Sequence, residues 1–465
     1  MIFRKVHQVH FVGVGGIGMS GIAELLLNLG FTVTGSDINR SDNVMRIQKL
    51  GIDVNIGHDP SNISNADVLV YSSAVPAENP EIIQARQKGI PVIKRAEMLG
   101  ELINVKQTSI AVGGTHGKTS TSSMIGMVLS SAKKDPTLVV GGLVHTLDTN
   151  AKLGAGEIIV VEADEFDRSF LALKPTIALV TNIELEHTDC YESLADLKDV
   201  FIQFCQSVPF YGEVILCADS STIREIKPKI ERPITTYGQS RDADFRAENL
   251  QFSHNQSEYS VFRKKEKLGD IKLNVPGEHN VMNSLGAIVL GLEMGLTFQE
   301  IKTGINAYQG VRRRFEIKGV FQNIMVVDDY AHHPTEIRAT LNAATKGWDR
   351  RIISVFQPHL FTRTQAFFRE FAGALLTTDI LIITDIYPAR EKPIPGITAE
   401  LIVNEAINQG HSKVHYVPDL ENLTTALDNI VQNNDMVLTM GAGSIWRYSD
   451  KYAAHLEKMK TRIEI

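Results

Sequence analysis

The sequence predicts an α/β protein of three domains, and three observations carry that prediction. Short runs rich in Val and Ile alternate with helical patterns along the chain, as expected of parallel sheets whose crossovers are helices. Two glycine-rich turns each follow a strand and open a helix. Two seams, near Val105-Lys106-Gln107 and near Gly310-Val311-Arg312, divide the 465 residues into stretches 1–104, 105–311 and 312–465, each of ordinary domain size.

In chain order, the spacing predicts strands at Val9–Val12, Phe31–Gly35 and Val68–Tyr71, with an apolar helix over Met19–Leu29, in the first stretch. The second opens on Ser109–Val112 and continues through Ile158–Val161 and Ala178–Thr181. Between Asp242 and Val275 the pattern turns polar and alternating, which reads as an antiparallel annex to the middle domain. The third stretch carries Ile324–Val327, Ile352–Phe356, Ile380–Thr384 and Met436–Met440.

Composition narrows the function. Hydrophobic residues are 43% and charged residues 22%, a globular balance. No run approaches the ~18 apolar residues of a membrane helix, so no membrane role is expected. A net charge of -7 argues against a dedicated nucleic-acid binder, whose affinity comes from neutralising phosphates. Cys190, Cys205 and Cys217 form no CxxC pair, so neither a disulfide framework nor a structural zinc site is expected. The N-terminus lacks the pattern of a signal peptide, and a reduced, cytoplasmic location is the expectation.

Gly13-Val14-Gly15-Gly16-Ile17-Gly18 fits G-x-G-x-x-G between a strand and a helix. Glycines let a diphosphate approach the backbone, and the helix N-terminus favours its charge. Asp37, ending the next strand, is placed to accept from a ribose or nearby hydroxyl, and Ser72-Ser73 would lie at the same sheet edge. A turn that needs glycine for packing alone is the alternative reading. The motif reports a diphosphate between two organic groups rather than NAD in particular. The stretch is short for the full six-stranded dinucleotide fold.

Gly114-Thr115-His116-Gly117-Lys118-Thr119-Ser120 has a more specific mechanical meaning. Backbone N–H groups cradle phosphates, Lys118 reaches the terminal ones, and the Thr119 hydroxyl suits Mg²⁺. Val112 stands where the standard phosphate loop has its first glycine. Carboxylates gather after the next strands, at Glu162-Ala163-Asp164-Glu165 and in Asn182–Asp189. Glu162 and His187 stand out as candidate ligands of the nucleotide's metal; most carboxylates of the set read as solvated or capping groups. Further polar clusters are Arg312-Arg313-Arg314, Asp328-Asp329-Tyr330-Ala331-His332-His333 and Gln357-Pro358-His359 with Arg363. A chain with both loops needs a diphosphate compound and a nucleoside triphosphate, which favours an ATP-using transferase or ligase over a dehydrogenase. An NAD-dependent oxidoreductase and a non-catalytic regulator that binds the diphosphate compound are the rival readings. The first leaves the second loop unexplained, and the second leaves Lys118 and Thr119 without a task.

Together, and in this order, these residues resemble the Mur ligase family. So do Gly277-Glu278-His279-Asn280-Val281-Met282-Asn283 and Arg312–Glu316. The resemblance implies an N-terminal Rossmann-like UDP-substrate domain, a central P-loop ATPase-like domain and a C-terminal dinucleotide-fold-like domain. It implies ATP and Mg²⁺, with UDP-N-acetylmuramate and L-alanine as substrates, joined through an acyl phosphate in peptidoglycan synthesis. The working form would be a monomer or weak dimer. A sister ligase that attaches a different amino acid or a preformed peptide shares the ATP machinery.

By the same resemblance, Gly15, Gly16, Ile17, Gly18, Asp37, Ser72 and Ser73 would hold the UDP-substrate. The segment Gly114–Ser120 would hold ATP together with His279, Asn280, Asn283, Arg313, Asp328 and Tyr330. Thr119, Glu162 and His187 would hold the metal, and Lys118, His187, His332, His359 and Arg363 would serve catalysis. Arg313 would reach phosphates across the seam, and closure of the third domain would exclude water. His332 and His359 are equal candidates for the base. Leu360 stands where many relatives carry Arg, which throws the carboxylate clamp onto Arg363. Lys198 has no confident alignment with the family's modified lysine, and that role is not carried over.

Overall fold

In a computed structural model of the chain, describing residues 5–72, 74–144, 149–186, 190–389 and 391–463, the alternation resolves into three sheets. The first is five-stranded and parallel, in the order Asp53–Ile56, Thr32–Asp37, Gln8–Val12, Val68–Tyr71, Val92–Lys94. Its first crossover helix, Ile17–Asn28, turns Met19, Ile22, Ala23, Leu25 and Leu26 inward at helical spacing. The helix begins two residues earlier than the apolar pattern suggests, because Gly16 acts as its extended N-cap residue.

The second sheet has ten strands. Its centre is Ile177–Val180, Thr108–Gly113 and Ile158–Ala163, all parallel. Ile110, Val112, Val160 and Leu179 are wholly buried, as continuous apolar runs in a sheet covered on both faces should be. The polar hairpins form the expected antiparallel annex, and it is continuous with the parallel strands. Phe245–Ser253, Gln256–Arg263 and Glu266–Leu273 extend the same sheet beyond Ile234–Gly238, where Tyr237 and Gly238 pair in parallel with Phe245 and Arg246. Two-residue connections between these neighbouring strands make them antiparallel, since a parallel pair needs a long crossover.

The third sheet runs Glu316–Phe321, Ile324–Asp329, Asp435–Met440, Arg351–Phe356, Ile380–Ile383, Val414–Tyr416, parallel except for its antiparallel first pair. Its strands alternate between two cores. Val327, Ile352, Phe356, Leu381 and Leu438 face the helices Pro334–Gly347, Phe361–Leu375 and Glu400–Asn408. Val326, Ile353, Val355, Ile382 and Val437 face Leu423, Leu427, Ile445 and Tyr452. The two-residue period of a strand thus sorts one apolar run onto both faces.

The chain forms two compact units. One runs up to Glu248 and adds Ser260–Ile271 and Met282–Tyr308; the other takes Asn249–Tyr259, Lys272–Val281 and Gln309 onward. The first sheet and most of the second therefore share a unit. Inside it the helix Arg95–Ile103 packs on the short helix Phe166–Ala172 so closely that a Cβ at Gly100 would stand 2.7 Å from the Ala172 carbonyl oxygen. Among the described residues, no helix is long and apolar enough to cross a membrane.

Candidate functional site

The carboxyl edge of each sheet gathers the candidate residues, where open α/β sheets place ligands. In the first sheet, the Ser36 carbonyl accepts from the N–H groups of Gly13 and Val14, at 2.9 and 3.1 Å. Asp37 is used by the loop itself: its Oδ2 accepts the Gly15 N–H at 2.8 Å and its Oδ1 that of Asn39 at 3.1 Å. A Cβ at Gly15 would press on Asp37 and Val44, which is why glycine is needed there. Gly16 and Ile17 lie exposed at the helix start, whose first turn holds no acidic residue. Ser72 sits beside Gly13, and its N–H donates to the Val12 carbonyl. Ser73 lies outside the described residues.

The second loop is anchored from the neighbouring strand end. Asn182 accepts the Thr115 N–H on its carbonyl and the His116 N–H on its side chain, and donates back to the His116 carbonyl at 3.0 Å. The Thr181 hydroxyl donates to the same carbonyl at 2.6 Å. Gly114 has φ +129 and Gly117 φ +83, and a side chain at Gly117 would collide with the Asn283 amide. The helix Lys118–Ser131 then begins, with the Ser120 side of its first turn buried.

Lys118 Nζ donates to the Gly114 carbonyl at 2.5 Å and to both oxygens of Glu165, at 3.0 and 2.7 Å. Burial disfavours the ammonium, but the charges of Glu165, Asp164 and Glu186 outweigh it and raise the Lys118 pKa. Burial likewise pushes the Glu165 carboxyl up, against the pull of Lys118. Glu165 is 1% exposed and so is not one of the solvated carboxylates of the set. Spacing cannot tell which of three neighbouring carboxylates turns inward; only the apolar strand feeding them hints that one does. Nothing in the sequence pattern marks Arg95, whose guanidinium lies against Gly18 and contacts Asp164 at 3.3 Å.

Thr119 Oγ1 donates to Glu162 Oε2 at 3.2 Å, and Glu162 Oε1 accepts the Gly141 N–H at 2.6 Å. The hydroxyl and carboxylate converge beside the phosphate-type loop, an oxygen-rich set that suits Mg²⁺. His187 lies outside the described residues. On the helix Glu278–Glu293, Asn280 and Asn283 are buried three residues apart on one face. Asn280 donates to the Pro276 carbonyl at 2.8 Å. His279 faces other groups: burial, then the nearby Arg314 charge, lowers its pKa to about 4.

In the other unit, Arg313 has φ +62 and turns inward. Its Nε donates to Asp328 at 3.1 Å, its Nη2 to the Gly441 carbonyl at 2.5 Å, and its guanidinium lies 4.8 Å from the Tyr330 ring centre. Burial pushes the Asp328 carboxyl up, with Arg313 opposing. His332, His359 and Arg363 are brought together. The two imidazole rings meet edge to face at 6.2 Å, and Arg363 Nη1 lies 3.4 Å from His359 Nδ1. His332 Nδ1 lies 2.9 Å from the Tyr330 carbonyl and 3.1 Å from Glu336. His359 stacks on Tyr387, a partner that the sequence did not suggest. Leu360 holds φ +70 between His359 and the helix that carries Arg363.

Three family descriptions match this chain in order: Mur ligase family, catalytic domain, over residues 8–107; Mur ligase middle domain over 112–291; and Mur ligase, glutamate ligase domain, over 313–443. The chain belongs to the Mur ligase family. Within it, the chain is 48% identical to a UDP-N-acetylmuramate–L-alanine ligase of Geotalea daltonii, over 98% of this chain and 100% of that one. It is 50% identical to the enzyme of the same name from Syntrophus aciditrophicus, over 95% and 92%. Among solved structures, the UDP-N-acetylmuramate–alanine ligase of Thermotoga maritima superposes with a TM-score of 0.84 at 29% identity, covering 97% of this chain and all of that one. A murein peptide ligase of Psychrobacter arcticus, at 23% identity and TM-score 0.72, shares the Mur ligase fold.

Proposed function

We propose that this chain is an ATP-dependent ligase that joins L-alanine to the lactyl carboxylate of UDP-N-acetylmuramate in peptidoglycan synthesis. The observation that carries the reading is near-full-length identity of about half to relatives named for that reaction. The two differently built glycine loops support it. The lactyl carboxylate oxygen attacks the γ-phosphorus, ADP leaves, and an acyl phosphate forms. The amine of L-alanine then attacks the acyl carbon, phosphate leaves with the bonding electrons, and one amine proton passes to a base.

The residues chiefly supply position and charge. The start of the helix Lys118–Ser131 and the Lys118 ammonium receive the triphosphate, with Thr115 and His116 holding the loop's shape through Asn182 and with Asn280 and Asn283 on the nucleotide side. Asp328, Tyr330 and Arg313 form the second nucleotide cluster in this reading. Thr119 and Glu162 would hold Mg²⁺, with His187 as a further ligand, and the ion would neutralise phosphate charge. Gly15, Gly16, Ile17, Gly18, Asp37, Ser72 and Ser73 are assigned to the UDP-substrate. Arg363 is assigned to the alanine carboxylate.

For the base, the hydrogen bonding favours His332 over His359. A proton on His332 Nδ1 satisfies the Tyr330 carbonyl and Glu336, which leaves Nε2 in its accepting form. His359 Nδ1 instead faces a cationic donor, Arg363. His332→Asn should then lower kcat by about 10²–10⁴ with a small change in the alanine KM. The reading includes a cytoplasmic monomer or weak dimer, which light scattering on the purified protein would check.

Phosphate release with UDP-N-acetylmuramate and each of L-Ala, Gly and L-Ser tests the whole assignment. Release dependent on both substrates and fastest with L-Ala is expected. Release that needs a peptide instead would make the chain a sister ligase.

A further inference from the structure

Beneath the first glycine loop lies a buried carboxylate that the reaction does not use. Glu81, near the start of the helix Pro80–Gln87, is wholly buried, as is its partner His10 in the central strand. Glu81 Oε2 accepts from the Ser36 hydroxyl at 2.7 Å and from His10 Nε2 at 3.1 Å. Its Oε1 accepts from the Asn62 side chain at 2.7 Å and from the Asp59 N–H at 3.2 Å. His10 Nδ1 is held in turn by Thr34 at 2.8 Å. Burial works against the Glu81 charge, but the hydrogen bonds from His10, Ser36 and Asn62 prevail and hold its pKa at about 2.

One group thus ties together the central strand, the end of the next strand and the turn at 57–62. Ser36 links it to the loop. The Ser36 hydroxyl donates to Glu81, while its carbonyl receives the Gly13 and Val14 N–H groups. Ser36 also bonds His58 Nδ1 at 3.0 Å, and the Gly57 N–H donates to the Asp37 carbonyl at 2.8 Å. A network this buried and this fully bonded fixes geometry, because any shift would leave a polar group unpaired at low dielectric.

We propose that Glu81 is a positioning residue for the UDP-substrate, setting the shape of the Gly13–Gly18 loop through Ser36 without touching the ligand. The inference rests on the assignment of that loop to the UDP-substrate.

Two isosteric or near-isosteric variants test it, Glu81→Gln and Ser36→Ala. Each is examined by amide hydrogen exchange across the loop and by steady-state kinetics, with thermal unfolding followed alongside. Glu81→Gln should speed exchange at Gly13–Gly18 and raise the UDP-N-acetylmuramate KM about tenfold, leaving the ATP KM within about twofold. Ser36→Ala should do the same more weakly, with Glu81 keeping its other partners. A purely structural role would instead lower the melting temperature and the active fraction with both KM values unmoved, and that result overturns the proposal. So does unchanged loop exchange in both variants. If the wild type fails to bind UDP-N-acetylmuramate, the functional assignment falls, while the exchange data still decide whether Glu81 orders the loop.

Discussion

The loop at Gly13–Gly18 is anchored by the Ser36 carbonyl and the side chains of Asp37 and Asn43, whereas the loop at Gly113–Gly117 is anchored by the Asn182 carbonyl and the side chains of Thr181 and Asn182 and is closed over a buried ion pair. Both follow a parallel strand and open a helix. The first spends the N–H groups of Gly13, Val14 and Gly15 on Ser36 and Asp37 and offers the start of the helix Ile17–Asn28, whose dipole suits a diphosphate. The second adds Lys118, Thr119 and Glu162, the groups that the proposed triphosphate and its metal would call for. In the proposed assignment, the same supersecondary unit takes its ligand from what stands at the ends of the adjacent strands, not from its glycines.

Substitution of Lys118 should break this contrast most strongly. Lys118→Ala should reduce ligation by more than about 10³-fold, since it removes the cation that meets the phosphates as they react. It should also leave Glu165 buried without its cation, at a cost of about 3–5 kcal/mol in denaturant unfolding. Adding Glu165→Gln should recover most of that stability and none of the activity. An active double variant would show that the ion pair is merely architectural.

A control lies outside both loops. Arg363→Ala should raise the alanine KM by roughly 10–100-fold, the worth of a charge-assisted pair, with little change for ATP or the UDP-sugar. Kinetics in which ATP suffers most would move Arg363 out of the alanine site. A smaller effect is expected of Asp37→Ala, which loosens the Gly15 N–H in the first loop. The UDP-sugar KM should rise by about tenfold while that of ATP stays put.

The smallest effect is a pH dependence. Burial raises the Glu165 pKa above its ordinary value to about 7 even beside Lys118. A folded-state pKa above the unfolded one means that the native state binds the extra proton, so stability falls as pH rises through that window. In Lys118→Ala, with the attraction gone, the loss should deepen between pH 5 and about 8. Unfolding midpoints across that range check it, and a midpoint rising with pH would contradict the assignment.

Much of this was legible in the sequence, and for definite reasons. The strands Val68–Tyr71 and Ile324–Asp329 show themselves because burial on both faces makes a continuous apolar run. Lys118 and Thr119 show themselves because phosphate chemistry fixes residue type and local spacing together. Glu165 and Glu81 do not, because their partners lie 47 and 71 residues away. Nor does the continuity of the hairpins after Asp242 with the parallel sheet, since an alternating strand reads alike whether it ends a sheet or forms its own.

The division of labour between the loops is tested most directly by calorimetry on Lys118→Ala. Titrated separately with UDP-N-acetylmuramate and with Mg-ATP, the folded variant should bind the first with an affinity within about threefold of the wild type and the second at least about tenfold more weakly. Loss of UDP-N-acetylmuramate binding, or retention of Mg-ATP binding, would contradict the assignment of one ligand to each loop.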